Sequence, residues 1–172
     1  MSDSVILLNS ISAYGGLAML FATAILIFDL YTTRTLAALV QRYATWGLVA
    51  ASVAGVALTL VYSEIFGFVP CGLCWLQRMF LYPLPLILGT GLWLRDARVY
   101  AYTMVLATPG AMVALYQHYL QMGGIEFVGC PAAAGDCAQR ILFEFGFMTF
   151  PLLSGILFAF LFVVSFYSYK LS

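Results

Sequence analysis

Four cysteines in two pairs are the residues of this chain with the clearest capacity for chemistry. Cys71 and Cys74 lie in the run Pro70-Cys71-Gly72-Leu73-Cys74-Trp75-Leu76-Gln77-Arg78, and Cys130 and Cys137 follow in a polar loop. The two residues between Cys71 and Cys74 let their sulfurs close a disulfide in the first turn of a helix. A thiolate there faces unpaired backbone N–H groups and the positive end of the helix dipole, and both favour the anion. Arg78, four residues beyond Cys74, shares its face about 6 Å along the axis. Its permanent cation stabilises a thiolate. It can also donate to the carbonyl oxygen of a quinone and stabilise the reduced, anionic form. A second pair completes a shuttle: a partner's thiolate attacks the accessible loop disulfide, and the other dithiol reoxidises it. The two pairs together point to electron transfer through disulfides.

Each residue also has a plainer reading. Arg78 can be a cation snorkelling from a helix end, and Trp75 an interfacial belt residue. Cys130 and Cys137 can be a loop staple, as outer-face cysteines commonly are. Four cysteines can also bind zinc. The six residues between Cys130 and Cys137 fit poorly with the two to four that zinc sites usually show. His118, in Tyr116-Gln117-His118-Tyr119, is the sole histidine. It is either a polar residue at the interface or a proton source to a bound quinone, whose reduction consumes protons as well as electrons.

The elements that must position these residues are membrane helices. The chain has 172 residues, 64% of them hydrophobic and 8% charged, where a soluble domain carries roughly 25% charged residues. Too few polar groups are present to cover a water-facing surface. Net charge is zero, and nothing suggests nucleic acid binding. Apolar runs long enough for a bilayer core (about 20 residues) predict five spans: 8–27, 45–63, 73–94, 99–119 and 147–167. Short connections argue for one domain over residues 1–172. The start, Met1-Ser2-Asp3-Ser4, lacks a basic n-region, so the first run reads as an uncleaved helix. Pro83 and Pro85 in the third span, and Pro109-Gly110 in the fourth, remove helix hydrogen bonds or loosen packing.

Charge orients these spans. Arg34 and Arg42, Arg95 and Arg98, and Lys170 fall on one face, which the positive-inside rule makes cytoplasmic. Asp3, Glu64, Glu126, Asp136 and Glu144 fall on the other, with Arg140. Both cysteine pairs then share the outer face, because two crossings separate Cys74 from Cys130. The outer face of a bacterial inner membrane is oxidising, and disulfides persist there. In the outer loop 121–146, Pro131 and Gly135 make the cysteine segment turn-rich. Beyond it Ile141, Leu142, Phe143, Phe145 and Phe147, with Arg140 and Glu144 four apart, predict a short helix lying on the membrane surface.

Pro70-Cys71-x-x-Cys74 followed by Arg78, His118 before an outer loop, and Cys130 with Cys137 in that loop resemble the disulfide-bond formation protein B (DsbB) family. The resemblance covers spans two to five. Vitamin K epoxide reductase relatives place the loop cysteines before the membrane pair, the reverse of the order here. The resemblance implies an all-α, four-helix transmembrane bundle, to which this chain adds an N-terminal span. It implies a multi-pass protein of the bacterial inner membrane that reoxidises a periplasmic DsbA-like thioredoxin-fold partner and passes the electrons to a membrane quinone, ubiquinone or menaquinone. By position, Cys130 would form the mixed disulfide with the partner and Cys137 would exchange with Cys71. Cys74 would face the quinone, with Arg78 and His118 in its pocket. The competing expectation is a non-enzymatic membrane protein whose cysteines form structural disulfides or bind zinc.

Overall fold

A computed structural model describes residues 3–127, 129–130 and 136–171. The turn-rich segment expected from Pro131 to Gly135 lies outside the described residues. Helix α1 (Asp3–Tyr31) is followed by α2 (Ala37–Leu60), which runs on into a π-helical turn, Val61–Ile65. Then come α3 (Gly72–Leu81), α4 (Pro83–Leu94) and α5 (Arg98–Gln121). A short hairpin, β1 (Phe143–Glu144) with β2 (Met148–Thr149), leads into α6 (Phe150–Leu171). α1, α2 with its π-helical turn, α5 and α6 are each long and apolar enough to cross a membrane. The predicted third span is divided, since only Tyr82 separates α3 from α4. Pro83 explains the break: it has no N–H to donate, and its ring crowds the preceding turn. The extra N-terminal span is a helix, longer at both ends than its apolar run suggests.

The helices meet in an interior built from Leu48, Leu84, Leu88, Ala107, Phe158, Leu161 and Tyr167 among others. Small residues set the closest approaches. Gly110 of α5 takes the ring of Phe158 from α6, and a Cβ there would stand 2.5 Å from it. Gly91 of α4 likewise receives Val99. Inside an apolar slab every polar group needs a protein partner, and Asp29 shows how this is met. It is buried near the end of α1 and accepts from Thr33 Oγ1, Thr35 Oγ1 and N, and Leu36 N, at 2.7, 2.7, 2.8 and 3.1 Å. Tyr167 of α6 donates at 2.5 Å to Oδ2, the oxygen that Leu36 N also reaches. One carboxylate therefore fixes the α1–α2 turn against α6. Arg42 and Arg95 line a cleft at this same end of the bundle, which gathers the cations as their positions in the sequence predict.

The predicted surface helix after Cys137 is instead the hairpin. Phe143 pairs with Thr149 and Glu144 with Met148, around a turn in which Phe145 and Gly146 have φ of 56° and 77°. The physical reason is the turn: Phe143 lies in β1, whereas Phe145, Gly146 and Phe147 form the reversal that joins β1 to β2. All three phenylalanines are exposed, while Leu142 and Met148 are buried against Ala13 of α1 and Ile156 of α6. Gly146 supplies left-handed backbone that would end a helix. Arg140 does not rely on a helical pairing with Glu144: its guanidinium lies 4.7 Å from the centre of the Phe143 ring, and its Nε donates to Gln121 O.

Gly110→Leu is expected to cost about 2 kcal/mol by forcing α5 from α6, read as a lower melting temperature in detergent. Gly47→Leu, at an exposed position with no atom near its Cβ, should leave the melting temperature unchanged.

Candidate redox site

Cys71 begins the site because it begins a helix. It is the N-cap of α3, with extended backbone (φ −72°, ψ 171°), and its sulfur accepts the Cys74 N–H at 3.3 Å. The helix N-terminus thus supplies one of its orphan donors to the thiol. Both cysteines are free thiols. Cys71 is 4% exposed and Cys74 is half-buried. The hydrogen bond to Cys74, and then burial, push the Cys71 thiol up from its ordinary value. Cys130 and Cys137 form a disulfide with Cα atoms 6.0 Å apart. Its two ends differ: Cys137 is 2% exposed, whereas Cys130 is half-buried. Cys137 packs in one cluster with Cys71, Leu73 and Leu120, and Cys74 and Cys130 border it. The loop therefore already rests on the helix pair.

Gln117 of α5 joins the two pairs. It is 1% exposed, and its Nε2 lies 3.1 Å from Cys71 Sγ, 3.3 Å from Cys74 Sγ and 3.4 Å from Cys137 O. Its Oε1 accepts from Gln77 Nε2 of α3 at 2.6 Å, which fixes the orientation of the amide. An amide nitrogen carries two N–H donors and here has three acceptors in reach. It can change partners as sulfur changes between thiol and disulfide. Nothing in the sequence singled Gln117 out. A glutamine has no redox chemistry of its own, and the neighbouring histidine drew the attention. The available signal was position: Gln117 lies one residue before His118, so the two point to different sides of α5.

A cavity of about 350 Å³ opens beside the thiols, a size typical of small-molecule sites. Its lining is mostly apolar and includes Cys71, Cys74, Gln77, Arg78 and Gln117. Arg78 donates to Thr59 O of α2 at 3.0 Å, and its guanidinium lies 5.3 Å from the centre of the Trp75 ring. A guanidinium carries five N–H donors, so that bond leaves others to face a ligand. At the loop end, Gln121 Nε2 donates to Gln139 O at 2.7 Å. Its Oε1 is buried with no partner among the described residues, and Gln121 also lines the cavity.

The structure brings Cys71, Cys74, Arg78 and Cys137 together, with Cys130 at the outer edge, but not His118. His118 is absent from the cavity lining, and its Nδ1 is 2.8 Å from Thr149 Oγ1. Thr149 Oγ1 also accepts the Leu152 N–H at the start of α6. His118, expected in the quinone pocket, thus stands outside this cavity and bonds to the residue that precedes α6. It ties α5 to α6, and Gln117 takes the place beside the sulfurs. Among the described residues no three His, Cys, Asp or Glu side chains are grouped to hold a metal ion.

Gln117→Leu removes the donors shared by both pairs. It is expected to slow thiol–disulfide exchange between Cys130–Cys137 and Cys71–Cys74 by roughly tenfold, the worth of one hydrogen bond. Rapid alkylation and mass spectrometry of the trapped thiols would check this.

Residues 41–168 match the family model described as disulfide bond formation protein DsbB. Similar proteins include the SPbeta prophage-derived disulfide bond formation protein B of Bacillus subtilis, 40% identical over 108 residues, or 63% of this chain and 73% of the relative. Disulfide bond formation protein C of the same organism is 38% identical over 130 residues, 74% of this chain and 90% of the relative. A probable disulfide formation protein C 1 of Bacillus anthracis is 38% identical over 128 residues, 73% and 91% of the two chains. No solved structure matches. With its membrane-length helices and its two cysteine pairs, the chain belongs to the DsbB family of multi-pass membrane disulfide bond formation proteins.

Proposed function

We propose that this chain is a thiol:quinone oxidoreductase that reoxidises a periplasmic DsbA-like thioredoxin-fold protein from the bacterial inner membrane. The observation that carries the reading is the contact sequence: half-buried Cys130, then buried Cys137, then Cys71 in the same cluster, then Cys74 and Arg78 on an apolar cavity. The exposed side chains of Ile125 and Phe127 precede Cys130 and offer a partner an apolar contact.

A partner thiolate attacks Cys130 Sγ, breaking the Cys130–Cys137 bond and freeing the Cys137 thiolate. The partner's second thiolate then attacks its own sulfur in the mixed disulfide, leaving the partner oxidised and Cys130 reduced. The Cys137 thiolate attacks Cys71 Sγ of the Cys71–Cys74 disulfide and releases Cys74 as a thiolate. Cys130 then attacks Cys137 Sγ, restores the loop disulfide and releases Cys71. The electron pair now rests on Cys71 and Cys74, which is the distribution of thiols and disulfide described above.

The cavity fits a quinone ring, because its walls are apolar and its polar groups few and placed. A bound quinone supplies a two-electron, two-proton acceptor. Arg78 would hold a carbonyl oxygen there and stabilise negative charge on it. Arg78 also favours the Cys74 thiolate one turn away, and the apolar lining excludes water from that sulfur.

The test is turnover of a reduced DsbA-like protein with ubiquinone and menaquinone in parallel. Wild type should oxidise the substrate only when quinone is present. Cys74→Ser should stop quinone reduction, although its loop disulfide is formed before reduced substrate is added. Arg78→Met should lower kcat/KM for quinone by at least tenfold and spare exchange between the cysteine pairs. A substrate left unoxidised by wild type with either quinone would sink the reading, and stoichiometric zinc would favour the non-enzymatic one.

A further inference from the structure

The family match begins at residue 41, so α1 lies outside it, yet α1 supplies part of the cavity wall. Ser12, Gly15, Gly16 and Met19 all line the cavity. They recur at helical spacing and so share one face of α1. Across the cavity stand Ala51, Gly55 and Thr59 of α2, and Leu153, Ser154 and Leu157 of α6. The buried Gln121 Oε1, without a partner among the described residues, lies on the same lining and needs a donor from whatever occupies it.

α1 is held in that place by specific bonds rather than by apolar contact alone. Asn9 accepts from the Tyr62 hydroxyl of the π-helical turn, and its Nδ2 donates to Ile141 O beyond Cys137 at 3.3 Å. Tyr14 stacks edge-on with Phe145 of the hairpin, ring centres 5.3 Å apart. Asp29 fastens the other end. A helix serving only as an anchor in lipid would need none of these.

We infer that α1 is a constituent of the ligand site, its Ser12–Met19 face setting the width of the cavity available to a quinone ring beside Cys74 and Arg78. This rests on the quinone reading above and adds a specificity-determining element to it. Gly15 gives the cleanest probe. It is exposed on the cavity rim, its backbone is helical, and a Cβ there meets no atom within 4 Å. A larger side chain can therefore enter the open space without displacing packed neighbours.

The experiment measures equilibrium binding of ubiquinone-1 to the full-length protein in detergent by quenching of intrinsic tryptophan fluorescence, Trp75 being stacked on the cavity arginine. Gly15→Leu should weaken binding at least tenfold, with an unchanged melting temperature and unchanged exchange between Cys130–Cys137 and Cys71–Cys74 in the absence of quinone. Ala18→Leu, on exposed α1 surface away from the cavity, should bind as wild type does. Equal binding by wild type and Gly15→Leu would overturn the inference, and so would equal weakening by both variants. Failure of wild type to bind ubiquinone-1 or menadione would overturn the quinone reading itself, and the role of α1 with it.

Discussion

The redox site depends on one buried amide. Gln117 sits where water cannot compete for its hydrogen bonds, so each of its donors must find an acceptor inside the protein. The acceptors it finds are the sulfurs of Cys71 and Cys74 and the backbone of Cys137. Its own oxygen is taken by Gln77. α3, α5 and the cysteine loop thus converge on a single side chain. Loss of that convergence leaves buried polar groups unpaired, which is costlier than the bonds themselves are worth. The same amide that positions the cysteines therefore keeps the loop seated on the bundle.

The opposite end of the bundle uses the same physics for a different purpose. Asp29 gathers five donations, four from the turn after α1 and one from Tyr167 of α6, beside the clustered arginines. Between these two polar knots the helices touch through small residues and apolar side chains. Most of the outward-facing surface of α1 is apolar: Ile6, Leu7, Ile11, Phe21, Ile25 and Phe28 are all exposed. In water such a surface would drive aggregation, whereas in lipid it is matched to its solvent. The bundle is therefore fixed by its ends, and the cavity opens at the cysteine end, beside Gln117 and Gln121.

Much of this was legible in the chain itself. The cysteine spacing, Arg78 and the apolar runs depend on residue identity at short range, and sequence reports that directly. The third span was expected as one helix; its split at Pro83 is a local effect that the apolar run conceals. The hairpin was harder, because its signal was a single glycine, Gly146, competing with a crowded apolar composition that also suits a surface helix. The contacts of Gln117 with the sulfurs and of His118 with Thr149 were not legible. Which of two adjacent α5 residues faces the sulfurs depends on how α5 is rotated against α3 and α6. That rotation is set by contacts such as Gly110 against Phe158, far from the site in sequence.

On the proposed reading, the position of the Cys71–Cys74 pair resolves a problem of solubility. Protein thiols are donors in water, whereas a membrane quinone stays in lipid. The electron pair must cross that boundary without exposing a reactive sulfur to either phase. Cys71 caps a helix at the boundary and is sealed by Cys137 and Leu120. Cys74 lies one turn deeper on the cavity wall, with Arg78 below it. A two-residue gap is short enough for the sulfurs to share a disulfide, yet the helix turns between them. Both sulfurs reach the cavity wall, and Cys71 is the one packed in the cluster with Cys137 of the loop. Longer spacing would separate the two, and adjacent cysteines would face sharply different directions on the helix. The Cys-x-x-Cys spacing at a helix N-terminus therefore lets one disulfide face both phases.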